Sequence, residues 1–427
     1  MRLAFIVLLA SVMLANASPA AAQLAGHGGP VRALAISPDG ATLISGSFDS
    51  SAIRWSLSRE VAEQVLRFHE GAVNAVALLP DGRLATAGED TRIALWTPGR
   101  PAPDAVLVGH TGPVAAIAVS PDGASVATAS WDRTVRLWSL GGGPARVFEG
   151  HQQNVNGVAF MPDGKTLVSA GYDATLRFWP LGGSEASRVT TLPLPLTAVA
   201  VAPDGEIVAA ATDGQLHFLS PAGDERELIE ASPTPITALA LSRTGEHLAA
   251  ASIGGAVALV ERKHHLVTEM LAGPPGPVWA AVFSPDEKVL FTGGADRVIR
   301  LWDLATGHQI GREDADNGRD PLAAYAGDPG ARVFRACTAC HSLTAAEGNR
   351  AGPTLHGIFG RRIATLPGYN FSEALKHLDI VWTPETLAKL FELGPSRFTP
   401  GTKMPEQLIT APEDRDALIK FLAHTTN

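Results

Sequence analysis

Gly109-His110-Thr111-Gly112-Pro113-Val114, followed by Ser120-Pro121-Asp122-Gly123, Trp131-Asp132 and Leu137-Trp138, is the stretch that decides the fold. Val114–Val119 is an apolar run too short for a helix and bounded by turn residues. Pro121 presets φ, and Asp122-Gly123 accommodates a tight reversal. The same frame repeats in both directions. Val31, Val73, Val114, Val155, Leu196, Ile236 and Val278 hold equivalent places, at intervals of 42, 41, 41, 41, 40 and 42 residues. Seven units of this length, built of short strands that run apolar because neighbours cover both faces, predict a stack of seven β modules.

With its Gly-His and Trp-Asp marks, the region 23–311 resembles a seven-bladed WD40 β-propeller, an all-β fold. Four units carry a full polar set: His27, Ser45, Asp49, Trp55; His69, Thr86, Asp90, Trp96; His110, Thr128, Asp132, Trp138; and His151, Ser169, Asp173, Trp179. The seventh keeps Thr292, Asp296 and Trp302, with Pro274 in place of the histidine. The family's structural hydrogen-bond tetrad is implied. Such a chain satisfies polar groups that are costly to bury alone. Repetition at fixed spacing marks His110, Asp132 and Thr128 as scaffold rather than a catalytic triad. In units five and six Leu192 and Ser232 replace the histidines and Ala209 and Ala250 the hydroxyls, while Phe218 and Val260 stand near the tryptophan positions. Apolar packing is expected to hold those two blades. For closing the ring, the sequence offers Gln23-Leu24-Ala25 or, alternatively, the stretch His308–Gly311 as outer strand of the last blade. The resulting edge at the seam is expected to be covered by the linker or by the domain that follows.

That second domain is announced by Cys337-Thr338-Ala339-Cys340-His341. C-x-x-C-H is a c-type haem attachment signature: two thiols for covalent attachment and a histidine for the iron. Asp328-Pro329 reads as the start of a helix reaching Thr338, Thr383-Pro384-Glu385 as the start of another to about Glu392, and Pro412–His424 as a third with Ala417, Leu418, Phe421 and Leu422 on one face. The region 328–427 resembles an all-α class I cytochrome c. By that resemblance Met404, in Pro400-Gly401-Thr402-Lys403-Met404-Pro405, is the second axial ligand to one covalent haem c. It is also the only methionine after the haem motif, 63 residues past His341. The competing ligands are His356, His377 and His424. The resemblance further places the Pro353 carbonyl against the His341 ring, and Arg361, Tyr369 and Trp382 near the haem propionates. Leu390 stands where many relatives have tyrosine. Lysines are few here (Lys376, Lys389, Lys403, Lys420), which argues against docking to a strongly acidic oxidase.

Two domains suit 427 residues, and the polar, irregular region 312–327 reads as a linker. Net charge is −9, with +1 on 325–427 and −10 on the remainder. An acidic propeller argues against a nucleic-acid role, since phosphates call for basic surface. The region 1–22 reads as a secretory signal peptide: Arg2, an apolar Leu3–Leu14, and Ala20-Ala21-Ala22 before Gln23. That apolar run is shorter than the ~20 residues needed to span a bilayer, so export to a periplasm is expected, with no membrane span after cleavage. Both cysteines belong to the haem motif, leaving none for disulfides. Three functions compete: an exported electron carrier whose propeller docks a redox partner protein, a nitrite-reductase-like propeller enzyme wired by its own haem, and a redox sensor. The His264-His265 pair, the only histidine cluster outside the tetrads, reads as a surface loop because neighbours in a strand face opposite ways.

Overall fold

The computed structural model describes residues 23–182, 187–273, 275–310, 322–338, 340–345, 348–369, 371–404 and 407–426. The expected signal peptide 1–22, Pro274, Gly311 and most of the linker 312–327 lie outside the described residues.

Each repeat forms a four-stranded antiparallel sheet, and seven sheets form the ring. Val31, Val73, Val114, Val155, Leu196, Ile236 and Val278 each begin the strand beside the central channel of their blade. A register shift follows each of the seven. An extra residue there sharpens the local twist. Between blades lie apolar clusters of alternate side chains, such as Val155, Val158, Leu167 and Trp179 against Ala127, Ala129 and Val135.

Both candidates for the closing strand take part. Gln23–Ala25 pairs antiparallel with the first half of Val298–Asp303, from Gln23 opposite Arg300 to Ala25 opposite Val298. Beyond it, Ile310 N donates to Leu301 O (2.8 Å) and Asp303 N to His308 O (2.9 Å). The outer edge is thus shared between two short segments from either side of the ring.

The four polar tetrads are complete. In blade three Trp138 Nε1 donates to Thr128 Oγ1 (2.9 Å), His110 Nε2 meets that hydroxyl at 2.7 Å, and His110 Nδ1 meets Asp132 at 2.7 Å. Burial lowers the pKa of His151 in the equivalent site, and Asp173 beside it only partly opposes this. A neutral ring with its proton on Nδ1 satisfies every member of the chain. In blade five the tryptophan's place falls to Leu219, opposite Ile207, and not to Phe218. Phe218 points to the other side and packs between blades five and six with Leu216 and Val260. An apolar run carries no internal mark of which face a residue takes, so a one-residue slip is invisible in the sequence. His264 and His265 diverge, His264 toward Glu261 (3.0 Å) and His265 toward Glu206 (3.3 Å).

Among the described residues the second domain has five α-helical segments: α1 (Pro329–Phe334), α2 (Glu373–Lys376), α3 (Pro384–Leu393), α4 (Pro395–Phe398) and α5 (Pro412–Thr425). Asp328 caps α1, accepting from Gly330 N (2.7 Å) and Ala331 N (3.1 Å). The expected run to Thr338 tightens into a 3-10 turn over Arg335–Cys337. A capping box between Thr383 and Thr386 starts α3. At Gly330 a Cβ would run into the Ala417 carbonyl and Phe421, so glycine lets α1 and α5 cross in backbone contact. Phe334, Leu387, Leu390, Phe391, Leu418 and Phe421 fill the core. Leu322 is buried in it, and the Tyr325 ring stands edge-on to Phe421 at 5.2 Å. The folded body therefore starts ahead of 328, inside the segment read as linker; two apolar anchors in a polar stretch were too sparse a signal.

Candidate haem crevice

The turn Arg335–Cys337 and the loop that follows bring Cys337, Cys340 and His341 to the wall of one deep crevice. Its cavity volume is about 190 Å³, and it opens to solvent at the mouth. Leu355, Ile358, Ile363, Leu387, Leu390 and Phe391 make the wall largely apolar.

His341 Nδ1 lies 2.8 Å from the Pro353 carbonyl. A carbonyl only accepts, so Nδ1 carries the proton. Burial lowers the His341 pKa, outweighing the bond to Pro353, and holds the ring neutral. Its Nε2 is then left with a lone pair. Gly352 makes the ring's position possible, because a Cβ there would collide with the imidazole. Burial pushes the Cys337 thiol up to about 12 and, with the Asp49 carboxylate adding to it, the Cys340 thiol up to about 11. Both thiols stay protonated.

Met404 lines the same crevice, with its N–H bonded to Thr402 Oγ1 (3.1 Å). His356, His377 and His424 are exposed and lie outside it. Arg361 lines it too, but its guanidinium donates to the carbonyls of His356 and Thr354 (3.1 Å each), bracing the loop after Pro353. Trp382 reaches the wall from the segment before α3, which pairs with 360–361 through Gly360 N to Trp382 O (2.8 Å) and Trp382 N to Arg361 O (2.9 Å). Tyr369 is present as well, yet its hydroxyl proton goes to the Ala351 carbonyl (2.6 Å).

Sequence reasoning missed three lining residues from the other domain: Gly28, Asp49 and Arg67. One signal was available for Arg67. Ala25-Gly26, Val108-Gly109 and Glu149-Gly150 precede three of the tetrad histidines, whereas Arg67-Phe68 precedes His69.

An imidazole with a free lone pair, a soft thioether, two adjacent thiols and an apolar wall form a donor set that fits a haem. The comparisons with known proteins agree. The model for "Cytochrome c" matches residues 327–426. The model for "WD domain, G-beta repeat" matches 20–56, 61–97, 102–139, 142–180 and 266–303. Blade five and the first three strands of blade six, where the tetrads are lacking, fall outside these matches.

Cytochrome c from Cochliobolus lunatus is 43% identical over 98 residues, covering 23% of this chain and 90% of the relative. Cytochrome c from Arabidopsis thaliana is also 43% identical over 98 residues, covering 87% of the relative. That from Ginkgo biloba is 36% identical over 104 residues, 24% of this chain and 91% of the relative. Through its C-terminal domain the chain belongs to the cytochrome c family, joined to a seven-bladed propeller of WD40 repeats. Family membership points to haem binding and electron transfer for the one, and to protein interaction for the other. Among the described residues no helix is long and apolar enough to cross a membrane.

Proposed function

We propose that this protein is an exported c-type cytochrome that carries single electrons, with its propeller as the docking platform for a redox partner protein in a periplasm. The observation that carries the reading is the convergence of Cys337, Cys340, His341 and Met404 on one apolar crevice, with His341 already oriented by Pro353. A haem bound there supplies a one-electron couple. Cys337 and Cys340 would hold it covalently, each thiol adding its sulfur and its proton across a vinyl group. His341 would bind the metal through Nε2 while Pro353 and Gly352 fix the plane of the ring. Met404 would offer its thioether, which favours the reduced state. The apolar wall excludes water, so little solvent must reorganise as charge changes. Export rests on the leader-like residues 1–22, and the docking role on the propeller's broad faces.

The test is expression of the full chain, leader included, with intact haem-attachment machinery. One iron per chain, a purely c-type spectrum, and a ferric methionine-to-iron charge-transfer band that Met404→Ala abolishes are expected. Colourless protein would overturn the electron-transfer reading, and a second metal or pigment would favour an enzymatic propeller. Recovery of the mature chain in cytoplasm alone would overturn export.

A further inference from the structure

Polar contacts tie the second domain to the propeller rim, and they fall on the segments that carry the candidate haem ligands. Ala351 N, just before Gly352-Pro353, donates to Gly26 O at 2.7 Å. Arg67 Nε donates to the Tyr369 hydroxyl at 2.7 Å, and its guanidinium carbon stands 5.7 Å from the centre of that ring. Lys403 Nζ, beside Met404, donates to His69 O at 3.4 Å. At Gly28 an added Cβ would lie 2.5 Å from Cys340 Sγ, so the propeller backbone runs directly against that thiol.

We infer that the haem site is a composite of two domains, with blade one forming its outer wall, the His69 carbonyl of blade two holding Lys403, and Arg67 serving as both clasp and fixed positive charge. The anchors on the propeller side are rigid. Gly26 follows the closing strand Gln23–Ala25, and the His69 ring is held by Asp90 (2.9 Å) and Thr86 (2.8 Å). Tyr369 gives its one proton to Ala351 and accepts from Arg67, so its two partners belong to different domains. Arg67 ends the outer strand Val61–Arg67, from which it reaches the crevice beside Asp49. Asp49 in turn is locked by His27 Nδ1 (3.0 Å) and Gly28 N (2.8 Å).

Two consequences follow. A redox partner cannot approach the haem across the Cys340–Tyr369 edge, since the propeller already covers it. A guanidinium in the wall also favours the more electron-rich state of whatever occupies the crevice. Because this builds on the haem reading, two readouts are needed, one of them independent of haem.

In the full chain, Arg67→Leu is expected to speed amide hydrogen exchange over 349–357 about tenfold, the effect of losing one buried hydrogen bond. It should also shift the ferric-to-ferrous ratio at fixed ambient potential about tenfold toward ferric, ~59 mV for one electron. Arg67→Lys, which keeps the charge, should restore the potential. Tyr369→Phe should raise exchange without removing any charge. Unchanged exchange in both Arg67→Leu and Tyr369→Phe would overturn the composite wall. A normal c-type spectrum with an unshifted potential would overturn the charge role. A chain without haem strikes the proposed function instead, while exchange still reports on the wall.

Discussion

Replacing Asp132 by alanine should cost the propeller about 3–4 kcal/mol, and the contacts show why. The carboxylate accepts from His110 Nδ1 (2.7 Å), Thr111 N (3.0 Å), Thr134 N (2.9 Å) and Thr134 Oγ1 (2.7 Å). Only 5% of its side-chain surface is exposed. Alanine would strand these donors, chief among them a buried imidazole N–H. At ~2–4 °C per kcal/mol for a domain approaching this size, the melting temperature should fall by roughly 6–16 °C. Asp296 in blade seven is the internal control. It meets Arg300 and, weakly, Val298 N at 3.5 Å, and its side chain is 27% exposed. Asp296→Ala should therefore cost no more than about 1 kcal/mol, the usual worth of a surface ion pair.

Acid supplies a second check. Burial would raise the Asp132 pKa, but the bonds from His110, Thr134 and Thr111 outweigh it and leave it well below the usual carboxylate range. A depressed pKa gives stability that is complete above the unfolded value, ~3.9, and is lost as pH falls toward the folded one. The gap between wild type and Asp132→Ala should thus be constant from neutral pH to about pH 5 and then narrow. Differential scanning calorimetry across pH measures both effects. Equal losses for Asp132→Ala and Asp296→Ala, or a gap that widens in acid, would refute the reasoning.

Two further outcomes follow from packing. Gly330→Val should destabilise the second domain by about 2–3 kcal/mol, because α1 and α5 must part to admit the side chain. Loss of Trp382 fluorescence change at lower urea, with the propeller transition unmoved, would register it. Leu24→Ala removes a 2%-exposed side chain packed on Ile53, Trp55 and Ile299. A loss of about 2–4 kcal/mol is expected, read as faster proteolysis at the seam between blades seven and one; an unchanged cleavage rate would contradict the role given to the closing strand.

The legible features were those with a local signature. Val114 and its six equivalents announced the blades because strand, turn and spacing repeat together. Cys337, Cys340, His341 and Met404 were legible because their chemistry sits in short strings. Where local marks ran out, so did the reading. Phe218 and Leu219 are adjacent apolar residues, and only pairing with Ile207 and Val208 tells which faces blade four. Leu322 and Tyr325 join a core whose other members lie up to a hundred residues on, so their run looked like tether. Arg67 and Tyr369 are 302 residues apart and meet only when two separate folds are brought face to face. Asp49 illustrates a different difficulty: one carboxylate serves a tetrad and a crevice, and the repeat explains only the first.

The seam is also where the two folds meet through their backbones. The short strand Gln23–Ala25 grips blade seven by three residues, and the next residue, Gly26, accepts the Ala351 amide. The later-made domain thus reaches back across more than three hundred residues to the first strand of the toroid, and a single backbone amide joins the C-terminal fold to the point where the circle is shut.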